Sequence, residues 1–351
     1  MTAEVLDGTE VRAPASLSPS RAADFLTCPL LYRFRVIDRL PERHSPAATR
    51  GTVVHSVLER LFDLPATERT PQLAHDLVVP EWERLLEAEP ELAELFPVDP
   101  VADEDPAAAD AGSGRLAEDA WLQSARDLLD AYFELEDPTR LEPAERELFV
   151  EHDLESGLRL RGYVDRLDVA PTGALRVVDY KTGRAPREGF EAKAMFQMRF
   201  YALVLWRLRG EVPRLLQLLY LGSGEVLRYE PDEADLRATE RKLEAIWAAI
   251  SRATERGDWR PNPTRMCDWC DHQALCPAFG GTPPELPVLE VLPASAVRSD
   301  LSVSSVPSVS TVVSVPSARE GAPAAAQRGV PVGGLLDDSE RPSPHTPGDE
   351  I

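Results

Sequence analysis

The segment GYVDRLDVAPTGALRVVDYKTG, residues 162–183, places Asp165 ahead of a pair of charged residues two apart, Asp179 and Lys181. Strand side chains repeat every two residues, so Asp179 and Lys181 project to one face of a single strand. The turn Pro171-Thr172-Gly173 folds a preceding strand back beside it and carries Asp165 close. Two carboxylates can hold Mg2+ or Mn2+, hard cations that prefer oxygen ligands and retain waters for a substrate phosphate. A lysine beside them can orient or help deprotonate the attacking water and offset charge growing on phosphorus oxygens. This is equipment for phosphodiester hydrolysis. A D-x-K triplet alone would favour surface carboxylates paired with Arg166 or Arg184. The apolar approach through Leu175, Val177 and Val178, with GxxDRxD in the preceding strand, favours a rigidly held site.

The second constellation is sulfur. Cys267, Cys270 and Cys276 stand together in MCDWCDHQALCPAF, and Cys28 stands far upstream in TCPLLYRF. Together they use every thiol of the chain, which reads as one four-thiolate site tying two distant segments of a domain. MTAEVLDGTEV lacks the basic start and apolar stretch of a signal peptide, and the longest apolar runs, such as Phe200 to Trp206, are too short to cross a bilayer. A reducing cytoplasm with no membrane contact is therefore expected, where cysteines serve ligation more than disulfides. Zn2+ stays open, because C-x2-C is half of a zinc pattern. Zinc usually takes two close pairs, however, whereas a [4Fe-4S] cluster accepts three cysteines together and one apart.

Net charge is -22 over 351 residues, which looks hostile to a polyanion, but its distribution matters more than its sum. Residues 63–119 hold sixteen acidic residues against three arginines, and residues 281–351 hold nine against four. Residues 21–50 carry Arg21, Arg33, Arg35, Arg39, Arg43 and Arg50, so a local basic face is possible there. Arginines scattered over a solvated surface are the equal alternative.

Three regions follow. Residues 1–15 are expected to be flexible. A domain spans 16–280, with an acidic helical insertion at about 63–118 that suggests no chemistry. Residues 281–351, rich in Pro, Ser, Ala and Val, cannot bury enough surface to offset ordering entropy and are expected to be a disordered tail. Within the domain, Ser18 can cap a helix over 18–27. Helical periodicity marks 51–62 and 118–135, where Trp121, Ala125, Leu128, Leu129 and Tyr132 recur on one face. One or two acidic helices around Trp82 to Phe96 lie between them, followed by a loop. Strands are expected at 146–153, 158–169, 174–181, 214–221 and 225–229, and helices at 191–209 and 233–256. The alternation makes the chain α/β, with a mixed sheet flanked by helices.

The segments GYVDRLD, VVDYKTG and FQMRFYA, the helix RGTVVHSVLE and the cysteine layout together resemble the PD-(D/E)xK nuclease superfamily, within it the RecB-like exonuclease branch that includes AddB-type domains and CRISPR-adaptation exonucleases. The resemblance spans about 16–280, apart from the acidic insertion, and implies a restriction-endonuclease-like core. It implies that His55, otherwise an ordinary helix histidine, is a metal ligand with Asp165, Asp179 and the Tyr180 carbonyl, and that Lys181 is catalytic. Gln197 and Tyr201 match the glutamine and tyrosine of the family's next helix and would position Lys181 or the substrate strand. Four residues apart, they could equally be hydrogen-bonding near the core. Cys28, Cys267, Cys270 and Cys276 match its iron-sulfur ligands. Val164 replaces the family's proline before the first acid, as is common in this branch.

The implied activity is metal-dependent DNA exonuclease action on single strands or duplex ends, in recombination or repair. The absence of G-x-x-x-x-G-K-[ST] leaves unwinding to a separate helicase. Arginines 21–50 and Trp269 would hold the strand. Alternatives are a non-catalytic DNA-end-binding or helicase-accessory protein, a CRISPR-adaptation nuclease, and a redox-responsive regulator. The intact Asp165, Asp179 and Lys181 count against the non-catalytic reading.

Overall fold

A computed structural model describes residues 11–12, 16–97, 111–187, 191–287 and 289–290. Most of the expected flexible N-terminus and tail therefore lies outside the described residues. The exceptions are residues 281–287 and the short strands β1 (Val11–Arg12) and β8 (Leu289–Glu290), which pair in parallel with each other.

After β2 (Ser16–Leu17), the Ser18 hydroxyl accepts the Arg21 N–H, and Pro19 opens helix α1 (Pro19–Thr27). Cys28 ends it in an extended conformation and starts the short α2 (Pro29–Tyr32). Helices α3 (Pro46–Leu61), α4 (Pro71–Ala88) and α5 (Ala111–Leu135) follow. Next, β3 (Glu145–Asp153), β4 (Arg159–Val169) and β5 (Leu175–Lys181) form an antiparallel meander. Helix α6 (Glu191–Arg209) crosses over to β6 (Leu215–Tyr220), parallel to β5, and β7 (Glu225–Tyr229) closes the sheet antiparallel. Helix α7 (Glu233–Arg256) starts on an Asp232 capping box and ends at Gly257 in the left-handed region. The strand order is β2-β4-β5-β6-β7, with β3 on the other edge of β4.

Each face of this mixed sheet is covered. Leu160, Val164, Val177, Leu216 and Leu218 pack against α1, α6 and α7. Val178, Tyr180, Leu219 and Leu221 pack against α3, α4 and α5. The acidic segment is thus less of an appendage than its composition suggests. Ala74, Val78 and Trp82 of α4 join Trp121, Ala125 and Leu129 of α5 in that second core, leaving the acids to the solvated side. Helix α5 also begins at Ala111, seven residues ahead of the start that periodicity gives, in a stretch too polar and small to show an apolar stripe.

Arg166 is 0% exposed and anchors the second face. Its guanidinium donates to both Glu136 oxygens at 2.8 and 3.0 Å, to the Tyr180 hydroxyl at 2.7 Å and to Asp168 at 3.3 Å. Removing the cation takes the bidentate partner from the little-exposed Glu136, leaving it Gln217 and a longer contact to Arg176, while Asp168 keeps Arg176. Arg166→Ala is expected to lower unfolding free energy by about 3–5 kcal/mol in urea titrations. A loss under about 1 kcal/mol would show the network to be solvated.

Candidate active site

On one edge, β4 is paired with β3 over nearly its whole length; the other edge is shared. Ser16 and Leu17 of β2 pair with Arg159 and Leu160, whereas β5 pairs with Arg166 to Val169. Asp165 sits where the second edge forks. Its carboxylate accepts the Tyr180 N–H at 2.9 Å, supplying a partner at the point where the β4–β5 ladder has ended.

The fork coincides with a break in strand alternation. Val164 and Leu167 lie in the same core, which strict period-two alternation forbids, while Arg166 turns to the opposite side. On β3, Leu148 and Val150 pack into the first core, yet Arg146 reaches the Glu59 carbonyl of α3. Between them Glu147 has φ 43°, left-handed backbone that a non-glycine residue adopts at a cost. Glu147 is also the position missing from an otherwise continuous β3–β4 register, opposite Asp165.

These irregularities gather acidic groups from both faces. Ligand atoms of His55, Glu147 and Asp165 lie within 4.8 Å of one another, the one such group of three or more among the described residues. His55 Nε2 donates to the Tyr180 carbonyl at 2.9 Å, so that oxygen is already engaged, and Nδ1 faces Asp165 Oδ2 at 3.4 Å. Burial lowers the His55 pKa, which favours the neutral ring and leaves a lone pair on Nδ1. Two acceptors facing each other call for a cation or proton between them.

Asp179 is 1% exposed and faces α6. Lys181 Nζ lies 2.7 Å from its Oδ2, off hydrogen-bonding alignment, so that buried oxygen has no hydrogen bond. Gln197 ties the pair together. Its amide nitrogen donates to Asp179 Oδ1 at 2.9 Å and to the Tyr201 hydroxyl at 3.2 Å, while its carbonyl accepts from Lys181 at 3.0 Å. The structure therefore brings His55, Asp165, Asp179, Lys181, Gln197 and Tyr201 into one cluster. The opposed His55 and Asp165 acceptors, with Glu147 in reach, fit a divalent ion, and Asp179 stands beside them ion-paired with Lys181. Glu147 belongs to this cluster and went unread in the sequence.

The cluster opens on a cleft of about 1560 Å3 lined by α1, β3, β4, α6 and the segment around Asn262 to Met266. Much of the basic face expected from residues 21–50 is neutralised. Arg33 pairs with Asp38, Arg35 with Asp24 and Glu42, and Arg43 with Asp271, while Arg50 donates to Ser124. Trp269 is 76% exposed and is not among the residues described as lining the cleft.

The four cysteines line a second cavity, with Cys28 reaching it from the α1–α2 junction. Cys28 Sγ accepts the Asn262 N–H and Cys267 Sγ the Thr264 N–H, each at 3.3 Å. Burial, followed by a smaller effect of the other three thiols, raises the Cys270 pKa.

A family model for the PD-(D/E)XK nuclease superfamily matches residues 16–277. The chain belongs to that superfamily. Gene 69 protein of Mycobacterium phage L5 is 30% identical over 126 residues, 35% of this chain and 41% of that protein. Its counterpart in Mycobacterium phage D29 is 33% identical over 139 residues, 38% and 48% of the respective chains. The chain thus matches under half the length of either relative. A solved structure from Eubacterium rectale, described as a candidate exonuclease, aligns with TM-score 0.47 and 13% identity over 74% of this chain and 88% of that one. SSO0001 aligns with TM-score 0.35 and 14% identity over 77% and 90%. No helix among the described residues is long and apolar enough to cross a membrane.

Burial, then the Asp179 charge, raises the Asp165 pKa well above its usual 3.8, and burial with Glu59 raises that of Glu147. A raised folded-state pKa contributes stability that is complete below pH 3.8 and is lost as pH rises through the folded value. At pH 8 in EDTA the buried Asp165 thus makes the fold less stable than it is near pH 4. Asp165→Asn keeps an acceptor for Tyr180 and should melt higher than wild type at pH 8, with the gap narrowing toward pH 4. Equal or lower melting at pH 8 would contradict this electrostatic account.

Proposed function

We propose that the chain is a metal-dependent DNA exonuclease of the RecB type, acting on single strands or duplex ends in recombination or repair. The observation carrying this is the convergence of His55, Glu147 and Asp165 beside the Asp179, Lys181 and Gln197 cluster. A Mg2+ or Mn2+ ion held by His55, Glu147, Asp165 and Asp179 would supply Lewis-acid polarisation of a phosphate oxygen and neutralise charge. Asp165 and Asp179 fix the site from two strands. Lys181, held by Gln197, orients the attacking water with its ammonium group and stabilises charge on the phosphoryl oxygens. Tyr201 fixes the Gln197 amide from α6. The Tyr180 carbonyl orients His55, a different role from the direct ligation expected of it.

The cysteines are proposed to hold a [4Fe-4S] cluster. Three cysteines together and one apart is a division that a [4Fe-4S] core accepts, whereas zinc usually takes two close pairs. Such a cluster would staple α1 to the segment after α7 and take no part in hydrolysis.

Labelled single-stranded and blunt duplex DNA should be degraded by the full chain with Mg2+ or Mn2+ and spared in EDTA. Lys181→Ala should reduce the rate about 10^2–10^3-fold and leave binding unchanged. Wild-type protein inert toward both substrates with both ions would overturn the nuclease reading. Anaerobically purified protein should carry iron and acid-labile sulfide, and Cys28→Ser should lose both and melt lower; stoichiometric zinc instead would overturn the cluster assignment.

A further inference from the structure

Phe149 and Tyr163 are directly opposite each other on β3 and β4, with ring centroids 5.2 Å apart at 52°. They are 49% and 57% exposed, while the next residues along, Val150 and Val164, are buried in the first core. Each stands two residues beyond a member of the acidic cluster, Phe149 beyond Glu147 and Tyr163 beyond Asp165. One side-chain repeat of a strand is about 6.7 Å, so the ring pair flanks the site at roughly the reach of one or two nucleotides. Both rings line the same cleft as Asp165 and Lys181.

The charge around the rings suits phosphates. Arg21 and Arg161 line the cleft beside them, and neither has an ion-pair partner among the described residues. Among the described residues the Arg21 guanidinium donates to Ser16 alone, and burial together with the Arg161 charge lowers its pKa. Glu151, across from Arg161 in the ladder, pairs with Arg159 instead. In a chain of charge -22, two adjacent arginines without a carboxylate leave a local excess of positive potential.

Resting on the nuclease reading, we infer that Phe149 and Tyr163 are a base-stacking platform beside the scissile position, with Arg21 and Arg161 holding the flanking phosphates, and that the bound end is single-stranded. Interior bases of a duplex are stacked on both sides, and a blunt end offers a single face held rigidly in its base pair. An unpaired base presents a free face, and aromatic side chains in a cationic groove bind such strands without regard to sequence. The platform therefore selects strand state and tolerates any base.

Binding is read in EDTA, where no cleavage is required, so its outcome is independent of the nuclease assay. Anisotropy of a labelled single-stranded oligonucleotide and of a blunt duplex would be compared for the full-length wild type, the Phe149→Leu/Tyr163→Leu double variant and Tyr163→Trp. Leucine keeps the apolar bulk that braces the sheet edge. The double variant should bind the single strand at least about tenfold more weakly and the duplex nearly as before, and Tyr163→Trp should bind the single strand as tightly as wild type. In wild type, 2-aminopurine at the strand end should be quenched on binding, and the double variant should abolish this. Unchanged single-strand affinity in the double variant overturns the inference, even if its melting temperature drops, because the rings then only brace the sheet. An equal loss for both DNA forms, or no binding of the oligonucleotide by wild type, overturns it too.

Discussion

The site depends on a fork in the sheet. β4 is bordered by β2 at one end and β5 at the other, and a donor on β5 would be orphaned where the β4–β5 ladder stops. Asp165 answers that donor with a side chain instead of a backbone carbonyl. A buried N–H without a partner costs about as much as a lost hydrogen bond, so the carboxylate is fixed by the same requirement that completes the sheet. The fork also explains how groups on opposite faces come to share one point. Strand alternation would keep the α3 side, with His55, apart from the α6 side, with Gln197 and Lys181. Broken alternation at Asp165 and Glu147 lets carboxylates bridge the two.

That arrangement has an electrostatic consequence. Asp165 and Asp179 are largely buried beside the half-buried Glu147, and among the described residues the ammonium group that reaches them, Lys181, is committed to Asp179. Burial, then repulsion from Asp179 for Asp165 and from Glu59 and Asp179 for Glu147, pushes both toward their neutral forms. A divalent cation relieves the same strain without a proton. Left-handed backbone at Glu147 belongs to the same account: strain of about 1–3 kcal/mol persists only where the surroundings over-determine it.

Much of this was legible in the sequence, for identifiable reasons. The period of two that links Asp179 to Lys181 is local, and the turn at Pro171 to Gly173 makes Asp165 their neighbour with a short connection. The helical spacing of Gln197 and Tyr201 likewise places them on one face, where the first is found spanning Lys181 and Asp179. Glu147 was illegible because ERELFVEHD offers several acids of equal standing, and only the register opposite Asp165 and a local φ single one out. The arginines of residues 21–50 misled for a related reason. Their carboxylate partners Asp38, Glu42 and Asp271 are set by tertiary packing, so composition could not reveal that Arg21 is unpaired while Arg35 and Arg43 are not. The aromatic pair at Phe149 and Tyr163 is a cross-strand feature and has no signature along the chain.

The thiol segment and the cleft are not independent parts. Asn262 donates its backbone N–H to Cys28 Sγ and its side chain to the Thr27 carbonyl, and the same residue lines the cleft with Thr264 and Met266. Helix α1 ends at this junction and carries Arg21 on its first turn, facing Arg161 of β4. The position of that helix therefore controls the distance between the two unpaired arginines. Joining Cys28 to Cys267 closes a loop of more than two hundred residues, which grows in entropic cost only logarithmically with length. A ligand bridging these sulfurs would hold α1 against two like charges that tend to push it away. The thiol segment and the cleft thus share one short helix and Asn262 as common structural elements.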